Sequence, residues 1–202
     1  MMKKTFLLLV MTIVGIGTSS QAQEYWNFGV KGGVNFTNMT SDGFEDNNSR
    51  TGFHLGVLAE IPVSDRFSVQ PEVLYSTQGT EATRIFAGDR IEGEYQLDYV
   101  QVPVIAKFYV IDGLALEAGP SFNFLVEEEY DFESNSLDLE ADSDYASTFE
   151  FGGALGASYK FNNGFFLNGR YVLGFTDAFD SNNFDDDAIK NNGFQLGVGF
   201  QF

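Results

Sequence analysis

The sequence predicts an all-β fold, an eight-stranded antiparallel up-and-down transmembrane β-barrel. Three observations lead to this prediction. Apolar and polar residues alternate in repeated stretches, short and long connections alternate between these stretches, and the composition combines 22 Phe and 22 Gly with no Cys. The length of 202 residues suits a single domain. The absence of Cys excludes disulfide scaffolds, thiolate metal sites and cysteine nucleophiles.

Residues 1–22 have the features of a secretory signal peptide. Lys3 and Lys4 precede an apolar stretch at 6–16, and Ser20, Gln21 and Ala22 form a small-residue cleavage site. The apolar stretch is too short to span a membrane comfortably as a helix. We therefore expect the signal peptide at 1–22 to be removed and the barrel domain to comprise 23–202. With no Cys near the cleavage site, a lipoprotein anchor is excluded.

Eight stretches alternate apolar and polar residues with a period of two, which is typical of strands with two different faces. These stretches are 28–36, 53–61, 67–76, 100–108, 114–124, 149–160, 165–174 and 194–202. A strand of about ten residues tilted by about 40° spans roughly 25 Å, the height of the apolar band of an outer-membrane barrel.

The connections between the stretches are alternately short and long. The short ones lie at 63–66, 111–113 and 162–164, and the last ends in the hairpin-favouring pair Asn163 and Gly164. The long ones, at 39–50, 77–94, 127–147 and 176–192, hold 21 of the 29 acidic residues. This layout predicts an integral protein of the bacterial outer membrane, with both termini and the short turns in the periplasm and the long loops outside the cell.

The composition of the two faces predicts which one is inside. The polar face is mainly Gly, Ser, Asn and Gln with a few charged residues, namely Lys31, Glu60, Glu72, Lys107, Glu117, Lys160 and Arg170. That is too few for a solvated exterior and fits the narrow lumen of an eight-stranded barrel. Aromatic residues at the strand ends predict two girdles. One comprises Tyr25, Trp26, Phe67, Phe108, Tyr109, Phe161, Phe165 and Phe202, and the other Phe36, Phe53, Tyr75, Phe124, Phe149 and Phe175.

Four of the inward charges are predicted to form a buried network. Lys107 and Glu117 lie five residues on either side of Asp112, so they face each other across a hairpin. Glu72 and Arg170 each lie five residues past the start of a strand, at similar depth. We favour a structural plug, because buried charges must pair. A gate or ion path is the alternative.

The C-terminal segment resembles the β-signal of outer-membrane proteins. Gln195, Gly197, Phe200 and Phe202 occupy its polar, glycine, aromatic and terminal aromatic positions. The resemblance implies recognition by the barrel assembly machinery. An ordinary closing strand that happens to end in Phe is the alternative.

The chain from residue 23 onward also resembles the outer-membrane β-barrel, PorT-like family of Bacteroidota. The stretches that carry the resemblance are 26–33, 71–79, 97–104, 116–120 and 169–171. It implies an eight-stranded barrel of OmpA/OmpX type without a periplasmic domain. It does not imply one activity, because members include secretion-associated proteins, adhesins and proteins of unknown role.

Enzymatic chemistry is not predicted. A lipid A-modifying deacylase would need a nucleophilic Ser beside a His base. His54 is the single histidine, and no Ser lies two residues away on its face. We expect His54 to point into the lumen near the loop end. The glycine pairs at 32–33 and 152–153 precede no predicted helix and so are not phosphate-binding loops. No cofactor is expected.

The acidic loops limit the partners that the protein is expected to bind. The net charge of −18 excludes a nucleic-acid partner. Glu127, Glu128, Glu129, Asp131 and Glu133, together with Asp185, Asp186 and Asp187, supply oxygen ligands without an EF-hand spacing. We expect a solvated acidic surface, with at most weak bridging by Ca²⁺ or Mg²⁺ to lipopolysaccharide phosphates and no defined metal site.

The sequence thus predicts a non-enzymatic, monomeric outer-membrane barrel with a side-chain-filled lumen and acidic extracellular loops. Its expected partners are outer-membrane lipid, lipopolysaccharide and the barrel assembly machinery, and its expected role is structural, surface-interactive or secretion-associated. A narrow porin-like channel for small solutes or ions is the leading alternative, and a lipid A-modifying barrel enzyme is a third.

Overall fold

The computed structural model describes residues 26–40, 48–86, 89–134, 137–141, 147–176 and 190–202. The predicted signal peptide at 1–22 lies outside these residues. The described part of the chain forms nine β-strands, and no helix in it is long and apolar enough to span a membrane. The strands are β1 (Asn27–Thr40), β2 (Asn48–Ser64), β3 (Phe67–Phe86), β4 (Asp89–Ile111), β5 (Leu114–Ser134), β6 (Leu137–Ala141), β7 (Phe149–Lys160), β8 (Phe165–Gly174) and β9 (Lys190–Gln201).

Eight of these strands close into a barrel. Each pairs antiparallel with its neighbours in the order β4-β3-β2-β1-β9-β8-β7-β5, and β5 pairs again with β4 to complete the ring. The chain closes on itself through β1 and β9, which stay in register from Gly29–Gln201 to Thr40–Lys190. The short β6 extends the sheet by pairing with the far end of β5. The predicted eight-stranded antiparallel barrel is therefore confirmed.

The burial pattern is the reverse of that in a water-soluble barrel. Along β9 the apolar residues Phe194, Leu196, Val198 and Phe200 are exposed on the outer surface, whereas Gln195 and the glycines between them are buried. Most of the buried side chains in the described residues are polar or charged. An apolar exterior around a polar interior is what a strand-built membrane protein requires, because lipid surrounds it.

The strands run further than the sequence pattern predicts. The stretch 77–94, predicted as a loop, is a hairpin in which β3 and β4 stay paired as far as Phe86 and Asp89. The predicted loop at 127–147 likewise contains the end of β5 and all of β6. These loop predictions were wrong because the apolar alternation stops where lipid contact stops, whereas main-chain pairing needs no apolar face. In the predicted loop at 176–192, residues 177–189 lie outside the described residues.

One predicted girdle residue, Tyr109, points inward. It lies two residues after Lys107 on β4 and therefore faces the same side of the strand, the lumen side. Its hydroxyl donates a hydrogen bond to Glu60. The neighbouring Phe108 is exposed on the outer surface, as Trp26 and Phe202 are. The girdle prediction was wrong for Tyr109 because a position near a strand end does not fix the side that a residue faces. That side depends on whether the residue is at an inward or an outward position of the alternating strand. Tyr25 lies outside the described residues.

Candidate functional site

The four residues of the predicted charge network all reach the lumen. Glu72 lies on β3, Lys107 on β4, Glu117 on β5 and Arg170 on β8, each at an inward position of its strand. Each is at most 3% exposed. Because inward and outward residues alternate along each strand, the four charges share one interior that solvent hardly reaches, where ionised groups need partners.

Arg170 and Glu72 pair across the lumen. The Arg170 Nη1 and Nη2 atoms donate to the two carboxylate oxygens of Glu72 at 2.9 and 2.7 Å. In the ring order, three strands lie between β3 and β8 in either direction, so this bidentate pair joins opposite walls. Paired N–H donors in this geometry are among the stronger hydrogen bonds of proteins.

Glu117 links this pair to the remaining predicted residue. Arg170 Nε donates to Glu117 Oε2 at 2.5 Å, and Lys107 Nζ lies 3.8 Å from Glu117 Oε1. Lys107 and Glu117 are also directly opposite in the β4–β5 register. The structure thus brings all four predicted residues into one connected group.

Two further charges complete the group and were not part of the predicted network. Lys31 Nζ lies 3.1 Å from Glu72 Oε2, and Glu60 Oε2 lies 3.4 Å from Lys107 Nζ. Both residues belong to the polar face in the sequence, but each meets a partner two strands away, which hairpin spacing does not reveal. We call the six residues Lys31, Glu60, Glu72, Lys107, Glu117 and Arg170 the lumen network. It contains three cations and three carboxylates, so its formal charge is balanced.

Glu60 anchors the lumen network at the end of the barrel where the short turns lie. It accepts hydrogen bonds from Ser68 Oγ at 2.8 Å, from Gln201 Nε2 at 2.8 Å and from the Tyr109 hydroxyl. An open pocket of about 450 Å³ lies at this same end, lined in part by Tyr109, Lys160 and Gln201. Its lining includes no member of the lumen network.

Uncharged side chains fill the lumen beyond the network. Gln195 Nε2 donates to Gln101 Oε1 at 3.4 Å, and this contact also joins opposite walls, β9 and β4. Further along, Asn191 Nδ2 donates to Gln78 Oε1 at 2.7 Å. The Tyr99 hydroxyl donates to the buried Glu150 carboxylate. The interior is therefore occupied by interlocking polar side chains over much of its length.

His54 is buried inside the lumen. Its Nδ1 lies 2.7 Å from Asn35 Oδ1, and the same Asn35 donates from Nδ2 to Ser76 Oγ at 3.0 Å. Ser76 is directly opposite His54 in the β2–β3 register, a cross-strand neighbour that spacing along one strand does not show. Asn35 contacts both side chains, and neither is on the lipid-facing surface. This arrangement does not match a nucleophile–base pair positioned at a lipid substrate.

The predicted acidic ligands are described only in part, because the side chains of Glu129, Asp131 and Glu133 lie outside the described ones. No group of three or more His, Asp or Glu side chains in the described part of the chain is arranged to hold a metal ion. Backbone register places Glu127 opposite Asp98 across β4 and β5. Asp185, Asp186 and Asp187 lie outside the described residues.

The residues of the predicted β-signal lie on the closing strand. Gln195 and Gly197 are buried in the lumen, and Phe200 and Phe202 face outward. The Phe202 backbone N–H donates to the Phe28 carbonyl at 2.9 Å, so the last residue is tied to β1.

Comparison with protein families identifies the class. The family described as "Outer membrane protein beta-barrel domain" matches residues 20–180, and the chain belongs to this family. It is accordingly a protein of the bacterial outer membrane. No curated protein matches the chain.

Solved structures show the same architecture. Ail, the attachment invasion locus protein of Yersinia pestis, has a TM-score of 0.51 at 15% identity, over 88% of this chain and 99% of Ail. The Neisserial surface protein A has a TM-score of 0.55 at 14% identity, over 87% of this chain and 97% of that protein. At these identities the likeness concerns the fold. The finer PorT-like assignment stays a prediction.

Proposed function

We propose that the protein is a non-enzymatic outer-membrane barrel with a closed lumen, which acts through its outer and extracellular surfaces in a structural, surface-interaction or secretion-associated role. The observation that carries the proposal is the Arg170–Glu72 pair, which joins opposite walls with both guanidinium Nη atoms engaged. The lumen of an eight-stranded barrel is just wide enough for side chains to fill, so a side-chain pair that crosses it leaves little room for solutes.

The energetics of the lumen network support a permanent closure. Its three cations and three carboxylates are nearly inaccessible to solvent, and removing one partner of such a buried pair costs about 3–5 kcal/mol. Opening a path would have to separate Arg170 from both Glu72 and Glu117.

We further propose the PorT-like assignment, which rests on the sequence resemblance alone. Four of the five stretches that carry the resemblance each contain one member of the lumen network: Lys31 in 26–33, Glu72 in 71–79, Glu117 in 116–120 and Arg170 in 169–171.

We assign the surface role to the strands that extend beyond the lipid, and we place them outside the cell with the short turns in the periplasm. The supporting observation is backbone register, which places acidic residues next to each other on β3, β4, β5 and β6: Glu81, Glu94, Asp131 and Glu140 in one row, and Glu92, Glu133 and Asp138 in another. Ail has been crystallised with the heparin analogue sucrose octasulfate. A polyanion of that kind would be repelled by these rows, so we do not propose such a ligand here.

Flux from liposomes tests the closed lumen. The chain from residue 23 to 202 is refolded into liposomes loaded with K⁺, and efflux is compared with that from protein-free liposomes. We expect no added efflux for the wild type, and increased efflux for Arg170→Ala or Glu117→Ala. Arg66→Ala is the matched control, because Arg66 is exposed in the turn after β2.

Two results would contradict the proposal. Rapid efflux through the wild-type protein would favour the narrow porin-like channel. The second result is a folded Arg170→Ala or Glu117→Ala protein that gives no more K⁺ efflux than the wild type and has unchanged stability. It would show that the lumen network does not close the barrel.

A further inference from the structure

Two buried polar side chains on different strands face the same small space in the lumen. His54 Nε2 on β2 and the side-chain amide of Asn168 on β8 are both buried and have no hydrogen-bond partner. Between these strands lie β9 and β1, where Gly197 and Gly33 occupy the inward positions of the same row. A Cβ on Gly197 would lie 3.1 Å from His54 Nε2 and 2.5 Å from Asn168 Oδ1.

The neighbouring Asn35 side chain determines which imidazole nitrogen of His54 carries the hydrogen. Asn35 Nδ2 donates to the backbone carbonyls of Phe53 at 3.0 Å and Thr77 at 2.9 Å, which cannot donate, so this side-chain atom must be the nitrogen. The other atom, Oδ1, faces His54 Nδ1 at 2.7 Å. Nδ1 therefore carries the hydrogen, and in the neutral imidazole Nε2 presents a lone pair.

Two acceptors thus converge on the space over Gly197. The Nε2 lone pair of His54 and the Oδ1 atom of Asn168 both approach the position that a Cβ would fill. Two acceptors repel each other, and leaving both buried without a donor costs about 1–3 kcal/mol for each group. With Asn168 Oδ1 turned toward His54, the two acceptors need a molecule that donates two hydrogen bonds at once, and the Asn168 Nδ2 atom also has no protein partner.

We propose that one internal water molecule occupies this site, donating to His54 Nε2 and to Asn168 Oδ1. Water is the smallest molecule that donates two hydrogen bonds, and buried waters commonly serve polar groups that lack protein partners. A cation is disfavoured, because Lys31 lies two residues from Gly33 and Arg170 two residues from Asn168, on the same inward faces. The site does not depend on the proposed function, since a single fixed water is compatible with a closed or a conducting lumen.

Nuclear magnetic resonance of the wild-type protein tests the proposal directly. His54 is the single histidine of the sequence, so the imidazole signals of untagged protein need no assignment. In a folded sample in lipid, we expect the Nδ1–H tautomer, with Nε2 unprotonated, and a magnetisation-transfer signal between water and the His54 Hε1 proton. An Nε2–H tautomer, or a scalar coupling from the Asn168 amide to Nε2, would overturn the water site.

A glycine pair supplies the matched variants. Gly197→Ala places a methyl group 3.1 Å from His54 Nε2 and 2.5 Å from Asn168 Oδ1, which leaves no room for a water between them, so the water signal at Hε1 should be lost. Gly169→Ala is the control, because a Cβ there would make only ordinary contacts of 3.6 Å with Leu196 and Phe194, on the outer surface. Retention of the water signal in Gly197→Ala would contradict the proposal. If that variant fails to fold, the His54 tautomer and the water signal of the wild-type protein still test the proposed water site.

Discussion

Arg170 and Glu72 are 98 residues apart in sequence and four strands apart in either direction around the barrel, yet two guanidinium nitrogens of one contact both carboxylate oxygens of the other. The contact therefore spans the full width of the lumen. Arg170 also holds Glu117 through Nε, and Lys31 holds Glu72 from β1, so one arginine connects several walls of the barrel. This crossing links the fold to the proposed closed lumen.

Arg170→Ala should lower the free energy of unfolding by about 3–5 kcal/mol, because it leaves the buried Glu72 and Glu117 carboxylates without their shared partner. Urea unfolding of the refolded protein in lipid, followed by gel mobility, measures this change. Arg66→Ala, at an exposed turn, should unfold like the wild type. A loss below about 1 kcal/mol, the range of surface pairs, would mean that Arg170 is solvated.

Tyr99→Phe should destabilise the barrel by about 1–3 kcal/mol, because the Tyr99 hydroxyl donates to the buried Glu150 carboxylate. The control is Tyr171→Phe, which removes a hydroxyl from a side chain that is 47% exposed on the outer surface. Unfolding midpoints of the two variants are compared in the same lipid. Equal midpoints for both variants would show that the Tyr99–Glu150 contact contributes nothing to stability.

Phe202→Ala should impair assembly in cells without impairing the purified protein. Phe202 is 73% exposed, so little packing is lost, whereas a β-signal would lose its terminal aromatic residue. The measurements are the amount of folded barrel in outer membranes and the refolding yield from urea. Phe161→Ala, an exposed aromatic residue at the same end, is the control. Equal amounts of the two variants in membranes would favour an ordinary closing strand.

Trp26 should report insertion at the membrane interface. It is the single Trp of the sequence, is 59% exposed on the outer surface, and packs beside Phe28 with ring centroids 6.3 Å apart. Girdle aromatic residues lie at headgroup depth. Lipids brominated near the headgroup should therefore quench its fluorescence more than lipids brominated near the chain end. The reverse order would place the start of β1 in the middle of the bilayer.

The barrel could be predicted from sequence because lipid on one side and a narrow polar lumen on the other impose a strict alternation, as in β9 from Phe194 to Gln201. The Lys107–Glu117 pairing could also be predicted from sequence, because both residues flank one tight turn. The apolar–polar alternation stops where the strands no longer contact lipid. The hairpin extension up to Phe86 and Asp89 was therefore predicted as a loop.

The remaining members of the lumen network were not predictable in this way. The contacts of Lys31 with Glu72 and of Glu60 with Lys107 skip a strand, and strand tilt decides which residues then meet at one depth. The inward Tyr109 shows the same limit, since composition near a strand end does not reveal strand parity. The neighbours of His54 on β1 and β3 likewise depend on register across strands.

Single-channel recording of the wild-type protein in a planar bilayer tests the closed lumen most directly. Insertion is verified separately by Trp26 fluorescence in the same lipid, so that silence is not mistaken for absence of protein. We expect no current steps from the inserted wild type, and steps from Arg170→Ala under the same conditions. Stable, uniform current steps from the wild type would contradict the closed lumen and identify the protein as a narrow channel.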